Sequence, residues 1–298
     1  MADIALVTEG RLEAPSEGDW YIDNVLTEDR LLAQALEVEG LSSERVDWAR
    51  DTVDWSSYRA AVVRTTWDYF EKPDAFRAWV ARASAATRLF NPPATILWNV
   101  DKRYLLELAA QGIAVAPMEI LERGSRATIG EVMQNRGWHD VVLKPTVSGG
   151  GRHTYRVQRN TLGDHEVIAA KLLAEESMLL QPFLRDIVAR GEVTVVVIDG
   201  EPTHALLKRA RDGEFRVQDD HGGTLHEHQA SEEELDLARR AIAVCSPTPL
   251  YGRVDMVRDE AGRPLVMELE LIEPELWFRR HPPAATALAR ALAAALSR

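Results

Sequence analysis

The chain has 298 residues, 46% hydrophobic and 28% charged, a composition that suits a well-packed globule of two or three modest lobes. Its formal net charge of −12 argues against nonspecific nucleic-acid binding, which needs a cationic surface to release counterions. The single cysteine, Cys245, allows neither an internal disulfide nor a cysteine-based zinc site. No run of about 18 apolar residues is present to cross a membrane. MADIALVTEG reads as a first strand and not a signal peptide, so a cytoplasmic protein is expected.

The first third alternates short apolar runs with amphipathic segments. Ile4 to Val7 reads as a buried strand. Thr27 is placed to cap a helix carrying Leu31, Leu32, Ala35 and Leu36, with Gly40 as its stop. Arg45-Val46 and Ala60 to Val63 are further strands. Pro73 suits the first turn of a helix with Phe76, Trp79 and Val80 on one face. This alternation predicts a small parallel α/β lobe over residues 1–98, closed by the stiff Asn91-Pro92-Pro93 connector. A helix from Asn99 to Gln111, stopped by Gly112 and bearing Lys102 near its start, opens a central lobe over residues 99–180. The rest of that lobe reads as strand Val141 to Lys144, loop Val147 to Gly151, strand Thr154 to Val157, a helix around Glu166 to Leu173, and strand Met178 to Gln181. Residues 181–298 are richer in strands: Val193 to Ile198, His204 to Leu207, Leu250 to Val257 and Leu265 to Leu271. Ser231 with Glu234 makes a capping box for a helix to Val244, and a last helix runs from Ala284 to Leu296. His221, His226 and His228, with Glu227, read as polar loop residues, since no partner ligands at structural zinc spacing accompany them.

Three constellations carry chemistry. In the strand pair YGRVDMV and LVMELEL, side chains alternate faces, so Arg253 shares a face with Asp255 and Glu268 shares one with Glu270. Three carboxylates on a hairpin suit magnesium carrying phosphate oxygens. A solvated acidic face on an edge hairpin fits the same pattern. In VVLKP, Lys144 ends a strand just before Ser148-Gly149-Gly150-Gly151, whose glycines let a backbone approach phosphate closely. The loop lacks the P-loop pattern, and the preceding lysine favours a phosphate lid over an ordinary flexible loop. Gln181-Pro182-Phe183-Leu184 ends a strand in a proline turn, with Asp186 close behind. Such a hinge can read an adenine edge with its backbone, and the acid can take ribose hydroxyls.

In this order and spacing the three pieces resemble the ATP-grasp superfamily, in the branch of bacterial glutathione synthetase and the ribosomal-protein glutamate ligases. The resemblance covers residues 99–298 and implies an ATP-grasp fold: an N-terminal parallel α/β lobe, a small central nucleotide lid and a strand-rich C-terminal lobe. It implies ATP and magnesium, two ions, as cofactors. Lys102 and Lys144 then match the two nucleotide-phosphate lysines, and Ser148, Gly149, Gly150 and Gly151 the glycine loop. Gln181, Phe183 and Leu184 match the adenine hinge, where Glu is commoner at the first place. Asp186 and Glu192 match acids near the nucleotide, and Lys208 or Arg209 approaches the phosphates. Asp255 and Glu268 match the magnesium acids, and Glu270 stands where the family commonly has Asn. The implied reaction is attack of a substrate carboxylate on the γ-phosphate, then displacement of phosphate by a nitrogen. Arg253 is placed to orient the carboxylate.

Arg64, Thr65, Thr66 and Asp68 follow an apolar strand, where open α/β sheets place ligands, and could hold an amino-acid-like substrate. Trp67 and Tyr69 could equally pack a lobe interface. RTTWDY together with ELELIEPELWF is similar to an ATP-grasp subgroup that includes the O-ureido-serine cyclo-ligase of cycloserine biosynthesis. An amino-acid or peptide ligase of another substrate, a small-molecule kinase and a non-catalytic nucleotide-binding module share most of these features. No nucleic-acid or membrane partner is expected, and homo-oligomer formation stays open.

Overall fold

In the computed structural model, which describes residues 2–16, 18–218 and 221–297, the chain builds three sheets. The first is parallel, in the order β2-β1-β3-β4, from β1 (Ile4–Thr8), β2 (Ser43–Asp47), β3 (Ala60–Thr65) and β4 (Arg88–Phe90). Strands β1 and β3 are buried along their whole length. IALVT and AAVVRT accordingly read as nearly continuous apolar runs, as strands covered on both faces do.

Helices α1 (Gly10–Glu13), α2 (Trp20–Val38), α3 (Pro73–Ala86) and α4 (Pro93–Asn99) accompany this sheet. Thr27 is not the cap of α2. Asp19 accepts from the Tyr21 N–H at 2.8 Å, so the helix begins at Trp20 and Thr27 lies inside it. Phe76, Trp79 and Val80 of α3 are fully buried, as their spacing predicts.

The expected helix from Asn99 to Gln111 is two. Pro93 starts α4 early, and α5 (Tyr104–Ala110) follows a turn in which Asp101 accepts from the Arg103 N–H at 3.0 Å. Lys102 therefore projects from a turn. Its N–H donates to Thr146 O at 2.8 Å, tying the turn to the base of the glycine loop.

The second sheet is antiparallel, in the order β5-β8-β6-β7, from β5 (Glu119–Leu121), β6 (Asp140–Pro145), β7 (Tyr155–Gln158) and β8 (Met178–Pro182). Helices α6 (Ile129–Arg136) and α7 (Leu162–Glu175) bury Ile129, Met133, Ala169 and Leu173 against it. Helix α6, absent from the sequence reading, carries a Thr128–Glu131 capping box.

After the short α8 (Asp186–Ala189) comes a five-stranded antiparallel sheet, β11-β10-β9-β12-β13. Its strands are β9 (Glu192–Ile198), β10 (Glu201–Arg209), β11 (Thr224–His228), β12 (Tyr251–Arg258) and β13 (Pro264–Glu270). His226, Glu227 and His228 thus belong to an edge strand and not to a loop. Helix α9 (Glu232–Ala243), with the expected Ser231–Glu234 capping box, covers one face. Helix α10 (Pro283–Leu296) covers the other and packs on α2, so one apolar core joins Leu32 and Leu36 to Leu288, Leu292 and Val196. Among the described residues no helix is long and apolar enough to cross a membrane.

Candidate active site

The acidic face lies at one edge of the five-stranded sheet. In the β12–β13 ladder Arg253 stands opposite Glu270 and Asp255 opposite Glu268, so all four side chains share a face. A register shift follows Asp255. The outer edge of β13 is not left open. Val266 N–H donates to Ala114 O at 2.8 Å, Leu269 N–H to the Tyr104 hydroxyl at 2.9 Å, and Leu271 N–H to Asn99 Oδ1 at 2.8 Å. Residues before, within and after α5 thereby hold the strand that carries the acids.

Each acid faces a protein cation. Arg253 donates to both oxygens of Asp255, at 2.9 and 2.8 Å, and also pairs with Glu270. Lys208 bridges Asp255 at 2.9 Å and Glu192 at 2.5 Å, and the Thr194 hydroxyl donates to Asp255 at 2.5 Å. Lys102 pairs with Glu268 at 3.0 Å and donates to Ser148 O at 2.7 Å. Burial opposes ionisation of Asp255, yet Arg253 and Lys208 win and hold its pKa well below the ordinary value. Burial likewise opposes ionisation of Glu268, where Lys102 and Lys144 keep the pKa low. For Glu270 burial prevails, and its pKa is pushed up to about 7. Burial also raises Glu192 and lowers Lys144. Among the described residues no three acid, His or Cys side chains are grouped to hold a metal ion.

A cavity of about 370 Å³ opens between the sheets. Lys102, Lys144, Ser148, Gly149, Gly150, Gly151, Gln181, Phe183, Leu184, Glu192, Lys208, Arg253, Asp255, Glu268 and Glu270 all line it. The sequence separation of these residues shows how much the fold must assemble. The glycine loop abuts the first lobe: a Cβ at Gly149 would stand 2.7 Å from the Phe70 ring, so any side chain there would have to displace that ring. Gly150 and Gly151 take φ of 56° and 70°. At the hinge, the Phe183 N–H is already donated to Asp140 O at 2.8 Å, so Phe183 offers the cavity its ring and not that donor. Phe183, Leu184, Ile187, Phe215 and Met267 make an apolar slot.

Other expected residues are elsewhere. Asp186 does not line the cavity. It begins α8, pairs with Arg190 at 3.2 Å and accepts from the Arg258 N–H at 3.3 Å, so the ribose role read for it has no support in its position. Arg64, Thr65, Thr66 and Asp68 are also off the wall. Arg64 is buried against Asp29 at 3.4 Å and over the Phe278 ring at 5.2 Å. The hydroxyls of Thr65 and Thr8 meet at 2.6 Å, and Thr66 is fully buried. Asp68 accepts from Trp48 Nε1 at 2.7 Å and pairs with Lys72 at 3.0 Å. These four residues bind the first lobe together. Arg209, the alternative to Lys208, is likewise outside.

Several wall residues were not singled out from sequence, Arg11, Tyr21 and Arg216 among them; Glu273 and Trp277, from the segment directly after the acid strand that could line this cleft or cap it, line it too. Trp277 lies 4.9 Å from the Arg253 guanidinium and 5.9 Å from the Lys208 ammonium. It adopts φ 47°, unusual for a bulky side chain and a signal of functional constraint visible only in the backbone.

The donor chemistry fits Mg-ATP. Gln181, 3% exposed, presents an amide oxygen with no hydrogen-bond partner beside the apolar slot, an acceptor suited to an exocyclic amino group. Hard carboxylate oxygens, buried lysines and a glycine loop share one cavity with it.

The comparisons with known proteins agree. Residues 4–91 match the family described as D-cycloserine synthetase DcsG, N-terminal domain, and residues 114–248 match the prokaryotic glutathione synthetase ATP-grasp domain. The cycloserine biosynthesis protein DcsG of Streptomyces lavendulae is 34% identical over 280 residues, 88% of this chain and 91% of that protein. The chain belongs to the DcsG family of ATP-grasp ligases. A crystal structure of D-cycloserine synthetase DcsG superposes with a TM-score of 0.85 at 32% identity, over 98% of this chain and 99% of that one. A RimK domain ATP-grasp protein from Sphaerobacter thermophilus shares the fold, with a TM-score of 0.69 at 18% identity over 97% and 99% of the two chains. This ATP-grasp ligase is a carboxylate–amine ligase, of a family that uses ATP and Mg2+.

Proposed function

We propose that this ATP-grasp ligase activates the carboxylate of a small amino-acid-type substrate and closes a C–N bond within the same molecule, converting O-ureido-serine to cycloserine. The observation that carries the reading is the shared cavity, which sets Lys102, Lys144 and the glycine loop against the Asp255, Glu268 and Glu270 face. The similarity to DcsG along nearly the whole chain supports the cyclising form.

In this reading residues 1–98 supply the substrate lobe, 99–180 the nucleotide lid and 181–298 the catalytic sheet of a cytoplasmic enzyme. The adenine enters the slot at Gln181, Phe183 and Leu184, and its triphosphate reaches Lys102, Lys144 and Ser148–Gly151. Asp255, Glu268 and Glu270 are the residues that would hold two magnesium ions, which would neutralise charge on the phosphates. Lys102, Lys208 and Arg253, which pair with these acids, are the cations placed to meet phosphate and substrate. Arg253 orients the substrate carboxylate by its planar fork. A carboxylate oxygen attacks the γ-phosphorus and ADP leaves. The oxygen-bound nitrogen of the ureido group then attacks the acyl carbon, phosphate departs with the acyl–oxygen bond pair, and the nitrogen loses its proton. Water then cleaves the carbamoyl group from the ring nitrogen, which takes up a proton as carbon dioxide and ammonia leave.

The test is incubation with O-ureido-D-serine, ATP and magnesium, measuring ADP, phosphate and cyclic product. Equal amounts of all three are expected, and Lys144→Ala and Glu268→Gln should abolish ADP formation while circular dichroism stays native. Normal turnover by both variants would place the chemistry elsewhere. Absence of ADP release with this compound removes that substrate. A phosphorylated product accumulating without free phosphate favours a kinase.

A further inference from the structure

Six acids line the cavity, and five are matched by cations: Glu192 and Asp255 by Lys208, Asp255 and Glu270 by Arg253, Glu268 by Lys102, and Glu275 by Arg279. Glu273 is the exception. Among the described residues its carboxylate finds no cation within ion-pair distance and no hydrogen-bond partner outside its own backbone. Its backbone is nevertheless fixed in place. The indole N–H of Trp67, from the first lobe, donates to Glu273 O at 3.2 Å across 206 residues of sequence, and Pro274 stiffens the next link. Tyr21 lies 5.7 Å from Trp67, and both rings line the same cavity. The RTTWDY and IEPELWF motifs thus meet at a half-buried acid on the cavity wall that Tyr21 and Trp67 also line.

An unmatched, half-buried carboxylate in a cavity wall favours a cation from the ligand, and aromatic faces favour the same charge. We propose that Glu273 receives the ammonium of the amino-acid substrate, and thereby fixes which end of the substrate faces the phosphates. The inference rests on the ligase reading above and deepens it. With the ammonium held at Glu273, the carboxylate is turned toward Arg253 and the remaining nitrogen is left free to attack.

The experiment compares kcat/KM for ADP formation with O-ureido-D-serine and with its des-amino counterpart, 3-(ureidooxy)propanoate, in the wild type, Glu273→Gln and Glu273→Asp. The wild type should prefer the amino compound by about 10- to 100-fold, the range of a hydrogen bond to a charged group. Glu273→Gln should reduce that preference to within about twofold, through a higher KM for the amino compound and with KM for ATP unchanged. Glu273→Asp should retain part of the preference. An unaltered preference in Glu273→Gln would overturn the assignment while leaving the ligase reading intact. No turnover of either compound by the wild type would overturn the reading and the inference together.

Discussion

At Arg253 one guanidinium donates to both oxygens of Asp255 while also meeting Glu270, with Trp277 against its face. Those contacts raise its own pKa against the burial that opposes its charge, and they keep Asp255 ionised without metal. Removing one member of such a buried set leaves the others unpaired, which costs about 3–5 kcal/mol. Arg253→Ala should therefore lower Tm sharply in metal-free buffer and lower it less in the presence of magnesium and ADP, because the ions return a positive charge to Asp255 and Glu270. Thermal melts with and without Mg-ADP check this. An equal loss in both conditions would mean the acids hold no metal. ADP formation should be lost in the variant under either condition.

At the scale of elements, β10 and the segment just before α10 meet in a stacked histidine pair. The rings of His204 and His281 are 4.9 Å apart at 22°, and the Thr203 hydroxyl lies 3.0 Å from His204 Nδ1. Burial, with His281 adding to it, holds the His204 pKa down to about 4. The unfolded chain takes up this proton below about pH 6.5, whereas the folded chain does so only near pH 4. More protons on the unfolded state mean that stability falls as pH drops through this window. Wild-type Tm should decline between pH 6.5 and 4 more steeply than that of His204→Gln. Equal slopes would show that the imidazole remains protonatable in the fold.

Across the whole molecule, Asn91 joins the end of the parallel sheet to the catalytic one. Its side chain donates to Tyr251 O at 2.7 Å and Leu271 O at 2.9 Å, and accepts from the N–H groups of Leu250 at 2.7 Å and Tyr251 at 3.2 Å. The Tyr251 hydroxyl returns to Val63 O at 2.6 Å and Phe90 O at 3.2 Å. Asn91→Ala leaves several buried backbone groups unpaired and should destabilise the protein by about 3 kcal/mol or more. A denaturant midpoint close to wild type would contradict it.

The long-range character of that junction explains what could be read in advance. Alternation along YGRVDMV and LVMELEL is a local, period-two property, so Arg253 with Asp255, and Glu268 with Glu270, were each evident as sharing a face before any pairing was known, and the ladder register then joins the two pairs. The same holds for the apolar face of α3, the Ser231 capping box and the glycine loop, each set by neighbours a few residues away. Lys102 was misplaced onto a helix because the Asp101 turn competes with helical propensity through one local hydrogen bond. The roles expected of Arg64, Asp68 and Asp186 depended on which partners arrive from distant segments: Asp29, Trp48 and Arg258 took them first. Sequence by itself determined the kind of chemistry, a phosphate loop with lysines and a carboxylate hairpin, because residue type and spacing carry it. Only the tertiary structure decided which charges cancel and which acid, Glu273, stands without a counterion. Ion pairing acts through space, between residues that the chain separates by as many as 251 positions, as for Glu28 and Arg279.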